Sequence, residues 1–345
     1  MKELALSILL IGPRRNNNLD SIGGTTVSFE NLIYYLDSNK ITHIVISTNK
    51  YKKRKFDIIN YVYVLYKVII NLPRINILMF NASPRGILFF SFPMLVLSKL
   101  SNCKLIIRIF GGDFYSFYLG LNKIVQKALL KCLKAAHLLL LQTKDLIQKY
   151  ELLGCKVCWL PTSRSVNVTY TINKVYKKRF IYFGQITEQK GLDFILRLID
   201  SLDSDYILDI YGPILSDKYL FLKNKSYYKG ILNQDQIPNT FLNYDVLLLP
   251  TIHPGEGYPG SIIEANSCGL PVIASKWMSI PEIVIDQYNG LLFPANDFDS
   301  LLNIIENLNV DSYSKLSSNA LIWSKQFDSK KINMDLIYRF NKLLV

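Results

Sequence analysis

The sequence predicts an α/β protein built from two doubly wound, parallel-sheet domains in tandem. Three observations carry this. Short runs dense in Leu, Ile and Val alternate with helical stretches, as strands covered by helices on both faces require. The series breaks after Pro161 in a polar stretch, Thr162 to Lys178, rich in Thr, Asn and Lys. A second series of the same kind then follows. With 345 residues, half of them apolar, the chain has enough material for two buried cores.

Strands are expected in the first half at Leu4–Ile11, His43–Ser47, Ile75–Phe80, Leu105–Ile109, Leu138–Leu141 and Val157–Leu160. Helical stretches are expected between them, such as Thr25–Leu36, Lys123–Lys134 and Lys144–Leu152. The second series places strands at Phe180–Phe183, Tyr206–Tyr211, Tyr227–Tyr228, Val246–Leu249 and Val272–Ala274. Its helices begin near Gly191, Gln234 and Gly260, with another over Phe298–Leu308. Ala320 to Val345 reads as helical, with Trp323, Phe327, Ile337 and Phe340 apolar, and is long enough to cross back over the first domain. The expected division is 1–165, 166–322 and a terminal helix over 323–345. Two such domains bind ligands at the carboxyl ends of their strands, in the cleft between them.

Composition narrows the function. The five cysteines are an odd number without regular spacing, which argues against a disulfide framework. Cys155-Lys-Val-Cys158 is a lone CxxC with no second pair, and reads as two buried thiols rather than a zinc site. The apolar stretch of MKELALSILLIGPRR is too short for a secretory h-region and reads as a first strand. The longest uncharged run, Gly86 to Ser98, has 13 residues and contains a proline, whereas spanning a bilayer takes roughly 20. A cytoplasmic protein with peripheral membrane contact is expected.

The formal charge is +13 and lies entirely in one half. Residues 1–165 hold 23 Lys/Arg against 8 Asp/Glu, and the remainder 17 against 19. This suits an anionic phospholipid surface, a lipid diphosphate or nucleic acid, or else a merely solvated face. No aromatic-basic nucleic-acid module is present, so nucleic acid is not expected. The cluster Lys50-Tyr-Lys-Lys-Arg-Lys55 is the candidate contact with an anionic membrane.

The strongest motif runs from Val246 to Ser275: a buried strand, a Gly/Pro-rich loop, a helix and another strand. Gly255, Gly257 and Gly260 permit close backbone approach. The helix begins near Ser261, so its first amides are free to meet a phosphate. Glu256 in the loop and Glu264 in the helix can face one site, where carboxylates accept hydrogen bonds from sugar hydroxyls. Ser261-Ile-Ile-Glu264 equally fits a capping box. Glu256 has no comparable structural task.

Three weaker motifs sit at other strand ends. In Tyr182-Phe-Gly-Gln-Ile-Thr-Glu-Gln-Lys-Gly-Leu-Asp193, Lys190 stands where a diphosphate would lie, or is an ordinary surface lysine. Gly23-Gly24-Thr25-Thr26 pairs glycines with a helix start, suiting an anion or a sugar edge, or is a simple βα turn. Arg108-Ile-Phe-Gly-Gly-Asp113 ends a strand, and Asp113 is either a hydroxyl ligand or a helix N-cap. Asp203-Ser-Asp205 precedes a strand at its amino end and is rejected as a metal site.

Together with Gln142-Thr143-Lys144, Trp159-Leu-Pro161 and the terminal helix, these motifs resemble the family-four glycosyltransferases of bacterial polysaccharide and lipopolysaccharide (O-antigen) synthesis. The resemblance rests above all on Glu256-x7-Glu264 within GEGYPGSIIEANSCGLPVIAS. It implies a GT-B fold and a retaining hexosyl transfer from a UDP- or GDP-linked sugar to a lipid-linked glycan, with no metal or other cofactor. It implies a catalytic set of Glu256, Lys190 and Asp113. Lys190 would bind the donor diphosphate, Glu264 the ribose, and Glu256 the donor sugar near its reacting carbon. Gly23, Gly24, Gln185, Gly212, Gly260, Ser261, Ile262 and Ile263 would complete the donor site, with the base near Tyr211-Gly212-Pro213 and Lys229-Gly230. Cationic side chains and amide dipoles would stabilise the departing nucleoside diphosphate.

Two positions depart from the family pattern. Gln185 stands where members usually carry the arginine that partners the lysine, and supplies no charge unless another cation compensates. Phe110 stands where many members carry a histidine. Both departures leave open a second function, a non-catalytic nucleotide-sugar-binding partner in a glycan assembly complex.

Overall fold

In the computed structural model, residues 5–15, 24–49, 57–165 and 175–345 are described. The chain divides into two compact units, Met1–Thr162 with Ser329–Val345, and Ser163–Asp328.

The first unit runs β1 (Ser7–Gly12), α1 (Gly24–Ser38), β2 (Thr42–Ser47), α2 (Asp57–Asn71), β3 (Ile77–Ala82), α3 (Pro84–Leu100), β4 (Lys104–Ile109), α4 (Phe114–Leu119), α5 (Lys123–Ala135), β5 (Leu138–Leu141), α6 (Lys144–Leu152) and β6 (Val157–Trp159). All strands pair in parallel in the order β2-β1-β3-β4-β5-β6. Alternate residues feed two cores. Leu9, Ile11, Leu78, Phe80, Leu105 and Ile107 pack on one face. Ile8, Leu10, Ile77, Met79 and Ile106 pack on the other, with Phe29, Leu32 and Leu36 of α1.

The second unit runs β7 (Arg179–Phe183), α7 (Leu192–Ser201), β8 (Ile207–Tyr211), β9 (Tyr228–Gly230), α8 (Ile237–Phe241), β10 (Val246–Leu249), α9 (Gly260–Ser267), β11 (Val272–Lys276), β12 (Gly290–Pro294), α10 (Phe298–Asn307) and α11 (Val310–Ser324). Its strand order is β12-β11-β10-β7-β8-β9, again parallel. The chain therefore winds one way from β7 and the other way from β10. The carboxyl ends of these two neighbours form the topological switch point at which doubly wound sheets bind ligands. The last helix, α12 (Ser329–Leu344), belongs to the first unit, where Leu336 and Phe340 enter the α1 core.

The structure differs from the sequence expectations in several places. Ala320 to Val345 is not one helix: α11 ends at Ser324, a short 3-10 turn follows, and α12 starts at Ser329. The helices α2 and α3 lie between strands as expected but had been given no bounds, and the edge strand β12 was not expected. The helix α3 takes in the uncharged run and tolerates Pro93 within it. A proline lacks the N–H that would bond the carbonyl four residues back, here that of Phe89. The Tyr61 hydroxyl of α2 approaches that carbonyl at 3.5 Å. Cys155 and Cys158 are free and buried, and burial pushes both thiols up.

Candidate active site

The loops after β7 and β10 are locked together at the switch point of the second unit. The Ile252 amide donates to the Gln189 carbonyl at 2.8 Å. Gly191 has φ +76°, and a Cβ there would stand 1.9 Å from the Pro250 carbonyl oxygen. Only glycine permits both that conformation and that approach. The result is that Lys190 meets Glu256. Its Nζ donates to Glu256 Oε2 at 2.7 Å and to Oε1 at 2.9 Å. The Thr251 hydroxyl donates to the same Oε2 at 2.7 Å. Glu256 and Thr251 are buried, and the Lys190 side chain is 18% exposed. Glu256 therefore has a structural partner set that the sequence did not indicate.

The second glutamate is paired as well. Helix α9 begins at Gly260 after Pro259, without any side-chain cap. The capping-box alternative for Glu264 is thus overturned: its Oε1 accepts from Arg164 Nε at 2.6 Å. Arg164 is buried, and its Nη1 also donates to the Ser163 carbonyl at 3.0 Å. Its Nη2 lies 1.7 Å from where a Cβ on Gly260 would stand. Gly260 thus accommodates a guanidinium at the start of α9. The Ile262 amide bonds to the Pro259 carbonyl at 3.2 Å, so it is not free for a ligand. The amides of Gly260 and Ser261 find no acceptor among the described residues. The Ile262 and Ile263 side chains are core residues.

Arg164 was missed because it lies in the polar stretch after Pro161 and meets its partner 100 positions along the chain. A guanidinium at a helix N-terminus opposes the helix dipole, so an anion is needed beside it, and Glu264 supplies one. Arg164→Ala should lower stability by about 3–5 kcal/mol, because Glu264 would keep its charge in a mostly buried place without a partner. Urea unfolding checks this. Lys178→Ala serves as the control, because its bond to Asp205 lies at the exposed surface and removing it should change the midpoint little.

The remaining expected positions scatter. Gln185 is half-buried, and its carbonyl accepts from the Tyr182 hydroxyl at 2.8 Å. Gly212 has φ +142°, and a Cβ there would fall 1.7 Å from the Gly184 carbonyl oxygen. Its requirement for glycine is therefore set by the packing of β8 on β7. In the first unit, Gly24 opens α1, is exposed and has open space where a Cβ would stand. Gly23 and Lys50–Lys55 lie outside the described residues. Asp113 precedes α4 but makes no capping hydrogen bond, so the N-cap alternative fails. Phe110 is buried, with the Arg108 guanidinium 4.4 Å from its ring centre. Burial pulls Arg108 down to about 9.

Comparison with known proteins shows what the chain is similar to. Residues 171–321 match the family of glycosyl transferases group 1. A 41.2 kDa protein of the cps region of Klebsiella pneumoniae is 30% identical over 139 residues, 39% of this chain and 38% of that protein. An Escherichia coli UDP-Gal:alpha-D-GlcNAc-diphosphoundecaprenol alpha-1,3-galactosyltransferase is 30% identical over 146 residues, 41% of this chain and 36% of that enzyme. The chain thus spans well under half the length of these curated relatives. The crystal structure of Anabaena Alr3699/HepE in complex with UDP superposes with a TM-score of 0.74 at 16% identity, covering 98% of this chain and 100% of that one. The fold is GT-B. Over residues 171–321 the second unit is thus similar to the glycosyl transferases group 1.

Proposed function

We propose that the chain is a retaining, metal-independent glycosyltransferase that moves a hexose from a UDP- or GDP-linked donor to a lipid-linked glycan at the inner face of a membrane. One observation carries the proposal: Lys190 and Glu256 are held together at the β7–β10 switch point. In this reading the donor diphosphate takes over Lys190 as it binds. That frees Glu256 to face the sugar, and Glu264 binds the ribose. Gln185 brings no charge to the diphosphate. Arg164, at the start of α9, is the cation that compensates for it. The amides of Gly260 and Ser261 complete the anion site.

Two similarities support the donor and acceptor classes: the Anabaena structure contains UDP, and the Escherichia coli relative is named for a UDP-sugar and a diphosphoundecaprenol acceptor.

Screening nucleotide sugars by thermal unfolding tests the proposal. The right donor at 100 times its dissociation constant should add about 2.7 kcal/mol of stability. That donor should then support transfer with retained anomeric configuration, read by NMR of the early product. If no nucleotide sugar stabilises the protein, the proposal fails. Stabilisation without transfer to a lipid-linked acceptor favours the non-catalytic partner instead.

A further inference from the structure

We propose that α2, α3 and α5 of the first unit form a surface that docks on an anionic lipid bilayer. The apolar faces of α2 and α3 enter the interface, and the lysines of α5 meet the phosphates. The proposal deepens the membrane half of the function above and rests on it.

Helix α2 is apolar on both sides. Val64 and Val68 point into the core, while Ile58, Val62, Tyr66 and Ile69 form an outward stripe, with Ile58 78% exposed. Helix α3 repeats the pattern. Ile87 and Met94 are buried, and Phe89, Phe92, Val96 and Leu100 face out, the two phenylalanines at 64% and 65%. The spacings of three and four residues put each set on one helical face. The helices are neighbours: the Tyr61 and Phe90 rings lie 4.7 Å apart. Single exposed apolar residues are ordinary, but two adjacent stripes containing two phenylalanines mark an interaction surface. A cavity of about 830 Å³ has Ile58 and Tyr61 of α2 and Phe89 and Phe90 of α3 in its lining.

Charge selects the occupant. From Ile58 to Lys144 there are eleven lysines and arginines, and Asp113 is the one acidic residue. Helix α5 packs beside α3. It exposes Lys123, Lys127, Lys131 and Lys134 at spacings of four, four and three. Arg85 and Lys99 stand exposed at the two ends of α3. An apolar stripe bordered by cations matches a bilayer with anionic headgroups, where lysines reach up to phosphates while apolar side chains sink below them. A second copy of the chain would instead set one lysine-rich helix against another. No described helix is long and apolar enough to cross a membrane, so the contact lies along the surface.

Co-sedimentation of the full chain with phosphatidylcholine vesicles, with and without phosphatidylglycerol, tests this. The wild type should pellet with the anionic vesicles and weakly with the neutral ones. Phe89→Asp with Phe92→Asp should weaken partitioning at least about tenfold on the anionic vesicles. Both positions are exposed, so thermal unfolding should stay near the wild type. Lys127→Gln with Lys131→Gln should weaken anionic binding about tenfold and leave neutral binding unchanged. Three results would overturn the proposal. The wild type remains in the supernatant with both vesicle types, or both variants partition like the wild type. In the third, light scattering finds a dimer that the phenylalanine variant dissociates, which assigns the face to a second copy. Donor binding is read separately by thermal shift, so failure of the docking surface and failure of the glycosyltransferase function remain distinguishable.

Discussion

Lys190→Ala should lower stability by about 3–5 kcal/mol and abolish sugar transfer, because it strands the buried carboxylate of Glu256. In the wild type that carboxylate takes two bonds from Lys190 and one from Thr251. Removing the cation leaves only the hydroxyl. Glu256→Gln behaves differently. The amide keeps the shape and can still accept from Thr251, so folding should hold while transfer falls about a hundredfold or more. Combining Lys190→Ala with Glu256→Gln should recover most of the lost stability and none of the transfer. Urea unfolding and a transfer assay on the three variants separate the two roles. If Lys190→Ala is as stable and active as the wild type, the pair supports neither fold nor chemistry.

Gly191→Ala should be among the most damaging changes that remove no polar group. The new Cβ would lie 1.9 Å from the Pro250 carbonyl oxygen and 2.6 Å from its carbon, on a backbone at φ +76°. Backbone cannot yield as a flexible side chain can, so the loops after β7 and β10 must part. A cost of about 3–5 kcal/mol follows from the strain and the displaced packing. Transfer should fall with it, since the same junction delivers Lys190 to Glu256. Gly230→Ala is the natural comparison. Its φ is +86°, yet nothing lies within 4 Å of its Cβ position. It should therefore lose only the conformational penalty, about 1–2 kcal/mol. Equal midpoints for the two variants would mean that the close approach at Pro250 is not what holds the junction.

Much of this was legible in the sequence. The alternation of Leu/Ile/Val runs with helical stretches located eleven of the twelve strands to within three residues at each end. Strands buried on both faces carry a signal that needs no partner to be recognised. The strand β12 escaped because it is a five-residue edge strand ending in a proline. Helix α2 could not be given bounds because its apolar residues face both the core and the outside, which blurs the helical period.

The candidate site was legible where one segment carries it. The loop after β10 and the start of α9 hold Glu256, Gly260 and Glu264 within nine residues. It was unreadable where the fold joins distant positions. Arg164 reaches Glu264, and Thr251 is the hidden third member of the Lys190–Glu256 pair. No local pattern marks an arginine in a polar stretch as a buried ion-pair partner. Gly212 illustrates the converse: its glycine reads as an invitation to a ligand, but the neighbouring strand already fills that space.

The central claim is that the second unit binds a nucleoside diphosphate through Lys190 beside the start of α9. Calorimetric titration of UDP and of GDP into the wild type and into Lys190→Gln tests it most directly. One of the two nucleotides should bind the wild type, and its dissociation constant should rise about tenfold to a hundredfold in the variant, the loss of one charge-assisted hydrogen bond. Unchanged affinity in Lys190→Gln, or no binding of either nucleotide by the wild type, would contradict it.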